Sequence, residues 1–557
     1  MYARTTSSGF AGALLGIALV SFLGIPSSEV GAAQTTQNSP PTSTASHKAS
    51  TFEEFANATI AQERRLAKLM RFYKPVIETY VQEQKTELEQ TSPKDDFYFL
   101  GRIRMAGNEL TVRDFETREH ANPDRKRLLR RVKPEVFTAI DFAQAIFPDF
   151  GNFDRQNYEF KLVRWEMVNE VRCIVIDVTP RAGADNRGFV GRIWVEDLDN
   201  NIVRFTGTHT AKAYAKHSFH FDSWRLNTLG SIWMPAYIYF QESDPNDPTS
   251  PNPWFKAQTR IWGYDLQQAG DHREYAKRLT DNPATADPGR SETSQNLSPQ
   301  LTVGEPTYTP EDRIVERLQL AGLMAPDGEV NHTLEIVVNN LLITNNLDIA
   351  GVRCRVLLTT PLESFVVGRT IVVSRGLLDV LPDEASLAAV LAHELAHIVL
   401  HHAPEGPSQF SVPFSDLDIF LKLKFRFDPA KEAEANKQGQ DMFLKSPYKD
   451  RFANVSRFFQ ALAVHSPQLP NLSRARFTND FVTSHLFGMP ASSGSSRMDS
   501  KDQVVALPLG SRIKLDPWSD RIEMLKAKSP PLASSAENRP FEVSPFFPYL
   551  KRLDQKK

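Results

Sequence analysis

The most constraining feature of this chain is a change of hydrophobic period part-way along it. From Asp96 to about Leu266 apolar and aromatic residues alternate with polar ones in short runs: Tyr158–Val168, Val171–Thr179, Phe189–Glu196, Ile202–Thr208, His217–Trp224, Trp233–Phe240 and Thr259–Tyr264. Turn-rich stretches such as Asp197-Leu198-Asp199-Asn200 separate them. A period of two places alternate side chains on opposite faces, so these runs read as consecutive antiparallel strands with one buried face. Ahead of them, residues 52–90 carry a helical pattern that includes Phe52, Phe55, Ile60, Leu66, Leu69 and Met70. Residues 280–308, rich in Pro, Ser, Thr and Asn, form a linker by composition. Beyond it the period lengthens. Glu311–Leu323 and Leu334–Leu347 read as helices, Val352–Leu358 and Thr370–Ser374 as strands, and helices dominate to about Lys526.

The chain of 557 residues is long enough for two or three domains. The expectation is α+β: an antiparallel β-rich domain over 51–279 with a helical lead-in, then a mainly α domain with a small edge sheet over 309–527, and a Pro/Phe-rich tail over 528–557. A net charge of −2 supplies no field for nucleic acid. The densest basic run, Arg125 to Lys133, reads as a solvated helix face. The first 33 residues have the form of a secretory signal: Arg4, an apolar run from Phe10 to Ile25, then Pro26 and the small residues Gly31-Ala32-Ala33 before Gln34. Residues 34–50 are a polar, Pro/Ser/Thr-rich leader to the folded part. An exported chain, periplasmic or secreted, is therefore expected, with no transmembrane segment once the signal is removed. Export permits a disulfide, but Cys173 and Cys354 fall in different expected domains, and two buried thiols are an equal expectation.

The chemistry concentrates at His393-Glu394-Leu395-Ala396-His397. The segment opens with helix-start residues, with Pro382 suited to the first helical position and Asp383 and Glu384 to the first turn. Leu387, Ala388, Val390, Leu391, Leu395 and Ile398 make the helix apolar, hence buried. Two histidines four residues apart share a face, so both rings can reach one Zn²⁺ at about 2.0–2.1 Å. Glu394 is rotated from them by about 100° and suits the role of general base rather than ligand. Zinc lowers the pKa of water it binds to about 7, which makes hydroxide available at neutral pH. A buried His–Glu hydrogen-bond network without metal is the rival reading. His393 and His401 are about 12 Å apart along the axis and cannot share an ion, so His401 and His402 read as caps at the helix C-terminus.

A third protein ligand is needed. Asp428-Pro429 is a helix start, and the helix it opens carries Glu432 and Asn436 on one face and Glu434 nearly opposite. Spacing favours Glu432 only slightly, and solvated charges remain an alternative for both glutamates.

Here a resemblance enters. Thr370–Leu378, Asp383-Glu384 and Leu391–His397 resemble the core of the HtpX/BepA/CAAX-prenyl-protease family of gluzincin peptidases, over roughly 310–525. The resemblance implies a helix-rich zincin fold, one Zn²⁺ per chain held by His393, His397 and Glu432, polypeptide substrates, and a strand beside the cleft that pairs with extended substrate. Three departures stand out. Asn436 occupies the Asp position of the family's E-x-x-x-D. Glu363-Ser364-Phe365 stands where many members read Asn-Ala-Phe. Asp516-Pro517 stands for the late His-Pro, followed by Arg521-Ile522, which leaves Arg521 to meet Asn436 or an oxyanion. The β region resembles the half-barrel domains that carry lipoproteins or sense lipids in the bacterial envelope, through Gly191–Val195 and Trp233–Tyr237. That resemblance implies a lipid or lipoprotein partner, with a filled aromatic core as the alternative. Two functional classes follow: a secreted zinc metalloendopeptidase, with envelope protein quality control as its setting, or a carrier or chaperone whose zincin domain is regulatory or inactive.

Overall fold

A computed structural model describes residues 51–87, 90–106, 109–115, 137–168, 170–181, 188–210, 219–227, 232–243, 253–264, 310–404, 419–485, 513–515 and 521–524. The expected signal, both Pro/Ser-rich segments, the basic run at 125–133, Asp516 and the tail lie outside these residues. Among the described residues no helix is long and apolar enough to cross a membrane.

Thr51 caps the first helix, α1 (Phe52–Met70), through a reciprocal pair of hydrogen bonds with Glu54. The helical reading of 52–90 is correct only to this point. Pro75 follows, and Val76–Glu87 is strand β1. Both faces of β1 are buried, so apolar residues fall at Val76, Ile77, Tyr80 and Val81. Adjacent pairs four residues apart imitate a helix, and this is why the period misleads. The chain continues through β2 (Gln90–Ala106), β3 (Glu109–Asp114), the short α2 (Ala139–Ala143), β4 (Tyr158–Val168), β5 (Val171–Pro180), β6 (Phe189–Glu196), β7 (Ile202–His209), β8 (Phe221–Asn227), β9 (Trp233–Ser243) and β10 (Pro253–Trp262). These ten strands form one antiparallel sheet in the order β3-β2-β1-β10-β9-β8-β7-β6-β5-β4. The first strand is thus inserted beside the last of the meander.

Alternation along β1 assigns its two faces. Ile77 and Val81 join the cluster of Phe55, Ile60, Leu66 and Met70 from α1, packed with Phe137, Phe142, Phe219 and Phe255. Val76 and Tyr80 join Leu100, Phe115 and Trp262 in a second cluster, whose other members lie beyond residue 310. The strands quoted for an aromatic concavity are packed: Ile193 and Val195 are buried in the first cluster, and Trp194 in a small third cluster with Cys173, Val175 and Val203. A buried ion pair ties α1 to β8, with both Arg225 guanidinium nitrogens donating to Glu63 at 2.7 and 2.6 Å.

The second half runs through α3 (Pro310–Leu320), α4 (Glu329–Thr344), β11 (Arg353–Leu357), β12 (Ser364–Val367), β13 (Thr370–Ser374), α5 (Arg375–Val380), α6 (Glu384–Val399), α7 (Ile419–Lys422), α8 (Pro429–Leu444), α9 (Phe452–His465), α10 (Pro470–Ser473) and α11 (Phe481–Ser484). The three-stranded sheet has the order β11-β13-β12, with β12 at the edge. The expected run of helices to Lys526 ends early, because β14 (Ile513–Leu515) and β15 (Ile522–Met524) pair as two antiparallel strands.

Polar groups fasten the large sheet to this half. Glu78 on β1 accepts from the Thr360 backbone N–H at 2.6 Å and from its hydroxyl at 2.8 Å. Asp96 on β2 accepts the N–H groups of Asn471 and Leu472 at 2.9 and 2.8 Å, which satisfies the free donors of α10. Leu362 in turn donates to the Leu472 carbonyl just before β12. Cys173 and Cys354 are both buried and free, each within its own cluster.

Candidate metal centre

Helix α6 is buried from Ala385 to Ile398. Asp383 is its N-cap, accepting from the Ser386 N–H at 2.8 Å, so Pro382 precedes the cap rather than opening the first turn. Asp428 caps α8 in the expected way, with Pro429 at the first helical position. The two helices meet at Gly439. A Cβ there would lie 2.9 Å from the His393 Cα and 3.0 Å from its backbone nitrogen. Only glycine permits this approach, which brings Glu432, two turns earlier on the same face, to the histidines.

The three donors converge. Nε2 of His393 and Nε2 of His397 are 3.2 Å apart, and Oε2 of Glu432 is 3.2 and 3.6 Å from them. Bonds of about 2.0–2.1 Å to a tetrahedral zinc imply donor–donor edges of about 3.3–3.4 Å, so these groups fit one ion. The hydrogen bonding agrees. Asn479 donates to Oε1 of Glu432 at 2.7 Å, whereas the buried Oε2 facing the two rings has no hydrogen-bond partner. A buried orphan acceptor is costly unless a cation takes it. Burial lowers the pKa of His393 and of His397, which keeps both rings neutral. Burial raises Glu432, but the electrostatic pull of the two imidazoles beside it and of His485 outweighs this and holds the carboxyl below its ordinary range. Two neutral imidazoles and an ionised carboxylate are the donor set zinc requires.

Glu394 lies beside this trio with its pKa raised by burial. Its Oε1 accepts from the Ser364 hydroxyl on β12 at 2.6 Å and lies 3.3 Å from Nε2 of His485. The His485 ring packs 4.1 Å from that of His393, and its Nδ1 lies 3.1 Å from the Phe481 carbonyl. Burial lowers the His485 pKa to about 4. Phe427 stacks on His397 at 3.9 Å.

Several of these residues were not readable beforehand. Asp516, which stands where the family resemblance expects a histidine, lies outside the described residues; among the described residues the imidazole beside Glu394 comes from His485, at the end of α11. The only signal for it in the sequence is a histidine directly after the short mixed run Phe481-Val482-Thr483-Ser484. Arg521 is exposed at the start of β15, outside the buried cluster. The Asn436 amide donates to the Ser484 carbonyl at 2.6 Å, so its neutral side chain positions the α11 segment. Ser364 is marked in the sequence only by its departure from the family's Asn-Ala-Phe, and Asn479 by no motif at all.

Comparison with known proteins bears on this half of the chain. Residues 334–476 match peptidase family M48. The M48 segment contains the two histidines, Glu394 and Glu432, and ends before Asn479 and His485. It marks the chain as carrying a peptidase domain of the metallo type. Among solved structures, a DUF1329-family protein from Desulfovibrio piger aligns at 12% identity over 40% of this chain and 98% of its own, with a TM-score of 0.21. A LolA-superfamily protein from Nitrosomonas europaea aligns at 10% identity over 40% and 96%, with a TM-score of 0.20. A lipoprotein-sorting protein domain from Vibrio parahaemolyticus aligns at 10% identity over 40% and 98%, with a TM-score of 0.19. No curated protein matches the chain.

Proposed function

We propose that this chain is a zinc-dependent metalloendopeptidase, periplasmic or secreted, that hydrolyses peptide bonds in polypeptides, with quality control of envelope proteins as its setting. The observation that carries the proposal is the buried, hydrogen-bond-free Oε2 of Glu432 set at tetrahedral-edge distances from two neutral imidazoles. His393, His397 and Glu432 hold the ion. Bound there, zinc supplies Lewis acidity toward a carbonyl and toward water. Glu394 takes the proton from the attacking water and delivers it to the leaving amine. Burial raises its pKa, the direction that favours a group that must both accept and release a proton. Ser364 fixes one Glu394 oxygen, leaving the other to face the reacting atoms. β12 is the edge strand of its sheet, with all four residues buried, so pairing with an extended substrate would require that edge to be uncovered. Arg521, exposed, has no part in the proposed chemistry.

The rival carrier reading requires room on the covered face of the large sheet. Among the described residues, Phe137, Phe142, Phe219 and Phe255 pack against one another on that face, with ring centroids 4.7–6.4 Å apart, which weighs against such room. The deciding experiment uses purified protein, metal analysis and casein cleavage. Zinc near one per chain is expected, with Glu394→Gln retaining the metal and losing on the order of 10²–10⁴-fold in rate. Zinc-free wild type, or equal cleavage by the variant, would overturn the proposal. Lipid co-extracted with a zinc-loaded but inactive protein would favour the carrier.

A further inference from the structure

His402, which spacing reads as a helix cap, and Glu434, the less favoured of the two carboxylates, meet behind the candidate metal centre. Helix α6 ends in a tight reversal. The His402 N–H donates to the His397 carbonyl at 2.9 Å and the His401 N–H to that of Ile398 at 3.2 Å, a Schellman stop. The turn residue is His401, in the left-handed region at φ 53°, a place usually given to glycine. The reversal returns the His402 side chain beneath the helix. There its Nδ1 lies 3.1 Å from Nδ1 of His397, and its Nε2 lies 3.2 Å from Oε2 of Glu434 on α8.

We infer that His402 and Glu434 form a relay that fixes the tautomer and ring orientation of His397 as a metal ligand, a conclusion that rests on the metallopeptidase reading. Proton bookkeeping leaves one arrangement. Nε2 of His397 presents its lone pair to the ion, so its Nδ1 carries the hydrogen and donates. Nδ1 of His402 must then accept, so its Nε2 carries the hydrogen and donates to the Glu434 carboxylate. Such support behind a ligating histidine raises its basicity and holds its ring in register. Phe427, stacked on the His397 face, blocks rotation out of that plane. The two glutamates of α8 thus serve opposite ends of one imidazole: Glu432 beside its Nε2, and Glu434 through His402 on its Nδ1. Among the described residues His393 has no equivalent, because its buried Nδ1 lacks a hydrogen-bond partner there. Retention of the metal therefore leans on the His397 side.

The test is zinc affinity, read by competition of the full-length protein with a chromophoric chelator. His402→Ala keeps the backbone stop and removes only the ring. It should weaken zinc binding about 10–100-fold. Glu434 is largely exposed, so Glu434→Ala should leave folding intact while weakening zinc binding several-fold. In the double variant the Glu434 effect should vanish, since its route to His397 is gone. His402→Asn, which can accept and donate in turn, should restore part of the loss. Wild-type affinity in His402→Ala, or losses that simply add, would overturn the relay while leaving the enzyme reading intact. A wild-type protein that takes up no zinc would remove both.

Discussion

Replacing Gly439 by alanine tests whether one helix contact sets the metal geometry. The added Cβ would sit 2.9 Å from the His393 Cα and 3.0 Å from the Ala392 carbonyl oxygen. Carbon atoms rest at about 3.5–4.0 Å, so α6 and α8 must part by roughly 0.6–1 Å. Both obstacles are backbone and cannot rotate aside. Overpacking of this kind costs ~1–3 kcal/mol, and alanine returns ~1 kcal/mol through helix propensity, so stability should fall by only about 0–2 kcal/mol. The metal site has no such offset. Ligand distances tolerate about 0.2 Å, and Glu432 moves with α8. Zinc affinity should therefore drop by about tenfold or more, and the rise in melting temperature on adding zinc should shrink with it. Urea unfolding of the metal-free protein and chelator competition measure the two effects separately. If Gly439→Ala unfolds near the wild-type midpoint and binds zinc with wild-type affinity, the helix contact does not control the ligand spacing.

Two further outcomes concern buried charge. Glu63→Ala leaves the Arg225 guanidinium buried without its carboxylate and should cost ~3–5 kcal/mol in urea unfolding; a loss below about 1 kcal/mol would contradict the packing of α1 on β8. Burial raises the Glu363 carboxyl on the site's edge from 4.5 to about 7. The fold thus favours its protonated form, a contribution fully present below pH 4.5 and lost as pH rises through 7, worth roughly 3 kcal/mol. Glu363→Gln should flatten that decline between pH 4.5 and 7, and an unchanged slope would assign it to other groups.

Legibility differed sharply between local and long-range features. The His393–His397 pair was readable because a helix turn converts spacing directly into direction, and Asp428-Pro429 marked the start of the second helix. Rotation alone favours Glu432 over Glu434 only slightly. The choice depends on where α8 crosses α6, which Gly439 decides through the absence of a side chain, a signal with no pattern. Strands β4 to β9 and the end of β10 are visible in the sequence, whereas β1 imitates a helix because it is covered on both sides. His485, Ser364 and Asn479 reach the site from separate parts of the chain, brought together only by the completed fold.

The placement of β1 beside β10 has an architectural consequence. Val76, Tyr80, Leu100, Phe115 and Trp262 belong to the same apolar cluster as the helices that carry the metal ligands. Severing the backbone between residues 264 and 310 would divide the polypeptide without dividing its interior. Each fragment would be left with a raw greasy wall where the other had been. The catalytic half is thus not a portable cassette: a cut that respects covalent topology would still wound the shared oil layer.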